Sequence, residues 1–460
     1  MKKIRRVLAL LLTLAMAMTI CAPAVAVDVQ KVKQLSGSEL FYSEVESAID
    51  DYVESWVFEN FSEHYILSEY VSSIPTISVD NKNVSTTVFV SVFTTLKYTS
   101  VESLPYMIGI KNELNISSLA EVVPVAFAAE HSEAAVDELN KSASYAIDVC
   151  SASAKERLLT NKKGESVLTM ERAVNNLEET MEVTSEQAKN LVSLVSNNFV
   201  DAAECIGVPT LLTLDISFSA QYNDGVFSNV VIEQQHGECA TESESEIRPL
   251  SAEELKSSAA SDVAICLADS SVSARTTSKR ALADSYDRVA ARNYAWEHTA
   301  PGYGYNQSNP KGSGYTPTTT CGHVFYNDDG SRKYVYVDRN YWNTTDYPSC
   351  MENGHCHDDC ACFVSQCMVA GGIDPTDTWK YCSPTWHSAS KLIDFITSDE
   401  VGGYKTTYAS CNAGNIVYWT GHITLCTLND TITHRYTGHT NDRNNSKFSS
   451  ATAYYAINLT

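Results

Sequence analysis

The chain has 460 residues, enough for two or three domains with cores of their own, and a formal net charge of −23. Such an excess of negative charge argues against nucleic acid as a partner and against electrostatic attraction to anionic lipid. The 14 cysteines can form disulfides if the chain is exported.

Residues 1–26, MKKIRRVLALLLTLAMAMTICAPAVA, have the pattern of a signal peptide. A basic start is followed by an apolar run and a small-residue exit at Ala24-Val25-Ala26, so we expect cleavage before Val27. A lipoprotein acylated at Cys21 is the alternative, and the bulky Ile20 before it disfavours that interpretation. No later stretch of about 18 apolar residues occurs, so we expect a secreted, extracytoplasmic protein without a membrane span.

Residues 27–239 have the patterns of a mixed α+β region and contain no catalytic motif. In chain order the patterns predict a helix at 41–57, a strand at 84–98, helices at 165–183 and 185–204, and a hairpin at 211–235. Thr184 and Gln187 are spaced for a capping box at the start of the last helix. Asn223-Asp224-Gly225 supplies the turn of the hairpin. The role of this region is not indicated by its sequence.

Residues 240–283 are rich in Ser, Ala and Glu, and apolar residues are sparse apart from 263–268, VAICLA. This composition predicts a linker. From residue 284 onward Tyr, Trp, His, Gly and Cys become frequent. We therefore expect a second domain at 284–460 that folds without residues 27–239 and holds every acid, base and nucleophile.

Residues 357–372, HDDCACFVSQCMVAGG, predict a helix that begins near Cys360 and stops at Gly371-Gly372. The positive end of the helix dipole stabilises the thiolate form of a cysteine in the first turn. The unpaired backbone amides there can donate hydrogen bonds to an oxyanion. The carboxylates of Asp358 and Asp359 oppose that thiolate. An imidazolium partner is therefore required.

Two histidines are candidates for that partner. Residues 414–428, GNIVYWTGHITLCTL, predict two strands joined by Thr420-Gly421. His422, Thr424 and Cys426 then share a face opposite Ile423 and Leu425, and a rigid strand positions a base well. His439 lies one strand further on and could orient the first imidazole.

Several separate segments resemble the bacterial amidase-domain family, whose members are secreted papain-like Cys-His amidases related to cell-wall amidases and peptidases. The segments cover about residues 284–455 in the order and with the approximate spacing of that family. They are 286–298 (YDRVAARNYAWEH), Asn309-Pro310, 359–372 (DCACFVSQCMVAGG), 379–396 (WKYCSPTWHSASKLIDFI), 414–419 (GNIVYW), 422–427 (HITLCT) and 439–442 (HTND).

The resemblance implies an α+β, papain-like domain in which a helix packs on an antiparallel sheet. It implies that Cys360 is the nucleophile and His422 the general base, with His439 as the polar third residue. Asp359 matches the acidic residue that precedes the cysteine. Tyr294 matches a tyrosine that could support the oxyanion.

Two further residues of the 439–442 segment, Asn441 and Asp442, are alternative orienters of the base. One position departs from the family, because Cys362 stands where an asparagine is usual two residues after the nucleophile. That change puts the local hydrogen bonding in doubt and places a second thiol beside the site.

The function implied is a secreted cysteine-dependent hydrolase of amide bonds, acting on peptidoglycan peptides or related peptide or acyl amides without a cofactor. The alternative is a catalytically inactive module that binds the cell surface or wall on the same scaffold.

The insert at 311–356 is either a substrate-lining flap or a disulfide-stapled decoration. A third interpretation is structural zinc, for which the nearby ligands would be Cys321, His323, Cys350, His355, Cys356 and His357. Their scattered spacing and an oxidising compartment disfavour it, so we expect no metal.

Overall fold

A computed structural model describes residues 37–74, 77–149, 151–236, 240–268, 286–299, 341–343, 345–347, 359–439, 442–449 and 455–458. Residues 46–460 form one compact unit and residues 1–45 another. The predicted signal peptide, residues 269–283 and most of the insert at 311–356 lie outside the described residues.

The described residues form helices and one mixed sheet, so the predicted α+β class is confirmed. The helices are α1 (Gly37–Phe61), α2 (Pro105–Leu114), α3 (Val125–His131), α4 (Glu133–Val149), α5 (Ala152–Arg157), α6 (Met170–Met181), α7 (Ser185–Ala203), α8 (Glu244–Ile247), α9 (Ala252–Ala268), α10 (Arg288–Glu297), α11 (Asp359–Ala370), α12 (Pro384–His387) and α13 (Ala389–Ile396). None of them combines the length and the hydropathy that a membrane-spanning helix requires.

The strands of the described residues are β1 (Tyr65–Ser73), β2 (Ile77–Asp80), β3 (Asn83–Leu96), β4 (Thr210–Asn223), β5 (Val226–His236), β6 (Ala240–Ser243), β7 (Tyr404–Thr406), β8 (Ile416–Trp419), β9 (His422–Asn429), β10 (His434–Gly438), β11 (Arg443–Phe448) and β12 (Tyr455–Asn458). They pair in the order β1-β3-β4-β11-β10-β9-β8-β12-β7, while β2 pairs with β3, and β5 lies between β4 and β6.

The local predictions for the N-terminal region are confirmed in most places, although the helix predicted at 165–183 spans only Met170–Met181. The helix pattern at 41–57 lies within α1, and the strand pattern at 84–98 forms β3. The capping box of Thr184 and Gln187 begins α7. The hairpin turn places Asp224 at φ 51° and Gly225 at φ 82°, the left-handed backbone that Asn, Asp and Gly tolerate best.

The segment predicted as a linker is ordered over 240–268, where it forms β6, α8 and α9. Leu255, Ala259 and Val263 are buried and lie on one face of α9. At the contact with α2 a Cβ added to Gly109 would lie 2.7 Å from the Ala259 Cβ, so the two backbones approach closely. Small side chains therefore pack here in place of the large apolar residues whose absence predicted a linker.

The N-terminal and C-terminal regions share the sheet, because β11 pairs with β4 in parallel at Ser446 and Thr213. The Thr213 hydroxyl donates to the Asn444 carbonyl at 3.1 Å. Beside this pairing Arg443 and Asp215 form an ion pair with both side chains buried. The boundary predicted near residue 284 is thus crossed by sheet pairing and by a buried charge pair.

In the C-terminal part the sheet is buried on both faces. Ile416, Ile423 and Leu425 pack against α10, α11 and α13 in what we name the helix-side cluster. The alternate side chains pack in what we name the far-side cluster, which consists of Cys411, Val417, Trp419, Cys426, Tyr436 and Phe448. Because successive strand residues point to opposite faces, the two clusters lie on opposite sides of β8 and β9.

Candidate functional site

Helix α11 places Cys360 in its first turn, as the sequence predicts, and the thiol-bearing residue is 3 % exposed. The helix ends at Gly371 and Gly372, and Gly372 has φ 90°. Gly371 is required by packing, since an added Cβ would lie 2.4 Å from Cε2 of Tyr286. This close contact fixes α11 against the segment that leads into α10.

His439 lies over the first turn of α11. Its Nδ1 is 2.6 Å from Oδ2 of Asp359, the residue before Cys360. Its Nε2 is 2.8 Å from the carbonyl oxygen of His298, at the end of α10. Both acceptors require an N–H donor, so this geometry favours the doubly protonated, cationic ring.

Two aromatic rings hold the His439 imidazole in place. Phe363 stacks at 3.9 Å between ring centroids, and Trp342 stacks at 4.6 Å with an interplanar angle of 9°. The Trp342 indole in turn donates to Oδ1 of Asp442 at 3.2 Å. Asp442 is therefore hydrogen-bonded to a neighbour of the imidazole. The other predicted orienter, Asn441, lies outside the described residues.

The pKa of His439 is raised above the usual histidine value. Burial alone would lower it, but the hydrogen bond to Asp359, the negative charges of Asp442 and Asp359, and the His298 carbonyl outweigh burial. A histidine with a raised pKa therefore lies at the start of α11, where a thiolate beside Asp359 would need a cationic partner.

His422 does not join this site, and its predicted pairing with Cys360 is wrong. The predicted alternation on β9 is confirmed, with Ile423 and Leu425 in the helix-side cluster together with Cys360. His422 is therefore directed to the far side, where it stacks on Trp419, its partner across the β8–β9 hairpin. The sheet separates the two side chains.

The surroundings of His422 also disfavour a base. It is 5 % exposed, and its pKa is lowered to about 3 by burial and by the positive charges of Arg443 and His236. The His236 ring stacks on Trp419, and its Nε2 lies 3.1 Å from Oε1 of Glu242. His422 thus belongs to a buried polar group between β5–β6 and the C-terminal strands.

Tyr294 lies on the same side of α11 as His439. Its hydroxyl donates to Oε1 of Gln366 at 2.9 Å and accepts from Nδ2 of Asn343 at 3.2 Å. Burial raises the pKa of Tyr294, so the hydroxyl stays protonated. The geometry makes it a positioning group for α11, because Gln366 lies two helical turns from Asp359 on the same face.

Cys362, the second cysteine of α11, accepts two hydrogen bonds. Its sulfur accepts from Nε1 of Trp386 at 3.2 Å and from Nε2 of Gln366 at 3.4 Å. The second thiol is therefore held between Trp386 of α12 and Gln366, which also binds Tyr294.

A cavity of about 600 Å³ lies beside α10, on the side away from α11. The C-terminal region contributes Trp296 and Asn445 to its wall, and the indole of Trp296 donates to Oδ1 of Asn445 at 3.0 Å. The N-terminal region contributes Phe93, Val208 and Leu211. The volume is within the range of small-molecule sites, which is about 300–1,000 Å³.

Sequence reasoning missed three groups at the site. Trp342 stacks on the catalytic candidate but lies in the insert, whose conformation has no local signal. The His298 acceptor is a backbone carbonyl, so its identity carries no pattern. Gln366 could have been found, since it lies seven residues after Asp359 on the same helix face.

No cluster of three or more metal-ligating side chains occurs in the described part of the chain. The residues considered for zinc, from Cys321 to His357, lie outside it. What the described site offers is a cysteine at a helix start, a histidine with a raised pKa over the same turn and a carboxylate that holds it. No protein-family model, curated protein or solved structure matches this chain.

Proposed function

We propose that the chain is a secreted cysteine-dependent hydrolase of peptide or acyl amides, with peptidoglycan peptides as the first substrates to test. The observation that carries the proposal is the Asp359–His439 pair on the helical turn that contains Cys360. The packing of α11 on antiparallel strands β8, β9 and β10 supports the papain-like architecture that the sequence resembles.

In this proposal Cys360 attacks the amide carbonyl as a thiolate, and backbone amides at the start of α11 hold the oxyanion. The C–N bond breaks as His439 gives its proton to the leaving amine. Water then attacks the thioester and gives a proton back to His439, so the acid leaves and the thiolate is restored. Asp359 keeps the imidazole oriented through both steps.

Both nitrogens of His439 have protein acceptors in this structure. The proposal therefore requires Nε2 to exchange the His298 carbonyl for the leaving amine or for water when substrate binds. Catalytic hydrogen bonds often form only in the substrate complex. The Asp359 bond through Nδ1 can persist during that exchange.

The test is amine release from a panel of wall peptides and N-acyl amines by the chain without residues 1–26. We expect turnover by the unchanged protein and none by Cys360→Ala. Cys266→Ala on α9 is the matched control and should keep full turnover. Equal loss of turnover in both variants, or turnover that survives Cys360→Ala, would refute the assignment of Cys360 as the nucleophile.

The second candidate is a wall-binding module without catalysis. The observation that favours it is the double engagement of His439, which holds the ring away from proton transfer. Alkylation by iodoacetamide separates the two candidates. Modification of Cys360 faster than that of Cys362 and Cys367 supports the hydrolase, and an inert Cys360 in folded protein supports the binding module.

A further inference from the structure

A second cavity, of about 190 Å³, lies on the far side of the sheet, between α9 and the β9–β10 turn. His434 of β10 and Lys447 of β11 line it. Tyr408, which packs against the far-side cluster, stacks on His434 with 4.0 Å between ring centroids. This cavity is therefore separate from the site at α11.

Lys447 is a buried cation without an ion pair among the described residues. It is 3 % exposed, and its Nζ donates to the carbonyl of Glu246 at 2.8 Å. Burial lowers the pKa of Lys447, while the charges of Glu242 and Glu246 favour its protonated form. Both carboxylates hold other hydrogen bonds, Glu246 with the Ser243 hydroxyl and Glu242 with the Ser449 amide. A counter-charge in direct contact with Lys447 would offset the remaining cost of its burial.

His434 adds a second unsatisfied group. It is 6 % exposed, and its Nε2 has no hydrogen-bond partner among the described residues. Burial and the charge of Lys447 lower its pKa to about 3, so the ring is neutral. A neutral ring can donate or accept at Nε2, according to its tautomer.

The rest of the wall is mixed, with the charged residues Arg248, Glu246 and Asp262 beside an apolar part. Leu250, Leu255 and Ile432 line it together with the ring of Tyr106, whose hydroxyl is bound to Asp262 at 3.0 Å. An apolar cavity of about 150 Å³ accommodates a benzene ring, so this volume accepts a small organic body with one polar end.

We propose that this cavity binds a small organic carboxylate, with Lys447 as its counter-charge, His434 as its hydrogen-bond partner and Leu255 and Ile432 around its body. The proposal is independent of the chemistry at Cys360, because the sheet lies between the two sites. A bare anion would satisfy Lys447 but would leave the apolar wall uncovered.

Calorimetric titration of the full chain without residues 1–26 tests this with three probes at constant ionic strength. Sodium benzoate supplies charge and ring, benzyl alcohol the ring alone, and inorganic phosphate the charge alone. We expect one benzoate per chain, bound at least tenfold more tightly than either comparator. Equal affinity for phosphate would refute recognition of the organic body, and equal affinity for benzyl alcohol would refute the role of Lys447.

Lys447→Met should weaken benzoate binding about tenfold or more, because a charge-assisted hydrogen bond is lost. The control is Lys189→Met, which removes an exposed lysine on α7 and should change nothing. If Lys447→Met does not fold, proton nuclear Overhauser effects in the unchanged protein show where benzoate binds. Contacts from benzoate to the methyl groups of Leu255 and Ile432 are expected, and contacts elsewhere or no binding overturn the proposal.

Discussion

Cys360 and His422 lie on opposite faces of the C-terminal strands, while His439 lies over the helical turn that contains Cys360. The positions of the two histidines are therefore the reverse of what the sequence resemblance implies. The histidine expected to orient the base is the one that contacts the start of α11.

The positions of the two histidines predict a large loss of turnover from one substitution and a small change from its matched counterpart. His439→Gln should reduce amide turnover by a factor of about 10²–10⁴, the usual loss when a general acid–base is removed. His422→Gln should keep turnover within a few-fold, since its side chain is on the other side of the sheet. Near-ultraviolet circular dichroism checks that both variants are folded. A larger loss from His422→Gln would restore the original assignment.

Asp359→Asn should lower the pKa of His439, because burial then opposes protonation without the carboxylate bond. We expect a pKa lower than in the unchanged protein, measured by titration of the ring resonances in nuclear magnetic resonance spectra. Asp442→Asn is the control and should cause a smaller decrease, since the charge of that carboxylate acts on His439 while its Oδ1 accepts from the Trp342 indole. An unchanged pKa of His439 in the Asp359→Asn variant would contradict the hydrogen bond between the two side chains.

Acid should unfold the protein through His422 and His434. Burial lowers the pKa of each to about 3, so the unfolded chain binds more protons than the native state between pH 3 and 6.5. Their contribution to stability is complete above pH 6.5 and is lost as the pH falls, by about 1.4 kcal/mol per pKa unit for each group. Asp201 and Asp262 act in the opposite direction, because burial raises their pKa to about 6.

The double variant His422→Gln, His434→Gln isolates this effect. The free energy of unfolding from urea titrations at pH 4, 5 and 7 should vary less with pH than in the unchanged protein. An unaltered dependence on pH would show that other groups drive acid unfolding.

Removal of one partner from the Arg443–Asp215 pair should be strongly destabilising. Both side chains are buried, so Arg443→Met or Asp215→Leu leaves an uncompensated charge that costs about 3–5 kcal/mol of unfolding free energy. The double variant should lose less than the sum of the two. Glu253→Ala, which breaks the exposed pair with Lys256, is the control and should change stability by less than about 1 kcal/mol.

A chain of residues 281–460 should not fold alone, contrary to what the composition predicts. It lacks β4, so β11 keeps β10 but loses its other partner strand. Arg443 also loses Asp215, and Arg435 loses the Leu211 carbonyl. We expect aggregation or an unfolded circular dichroism spectrum, with the chain of residues 27–460 as control. A soluble, cooperative and active fragment would refute the shared sheet.

Local patterns predicted local structure well. The period of apolar residues predicted α11, and alternation placed His422 opposite Ile423 on β9. Alternation does not say which face of a sheet a helix will cover. The helices cover the face opposite His422, and for that reason His439, and not His422, contacts α11. Leu255, Ala259 and Val263 do follow one helix face, but small residues between them hid the signal. The pairing of Ser446 with Thr213 joins distant segments, and nothing in either strand encodes its partner.

The parallel pairing of β11 with β4 also determines when the fold can be completed. The Thr213 hydroxyl bonds to a residue 231 positions later, so during synthesis that part of the β4 edge emerges long before its partner. Pairing at such separation is slow, and an unpaired strand edge is a template for association with other chains. Premature termination just before Arg443 would keep Cys360 and His439 in the chain but would remove β11. It would leave an open edge in every copy, and loss of function would be accompanied by aggregation.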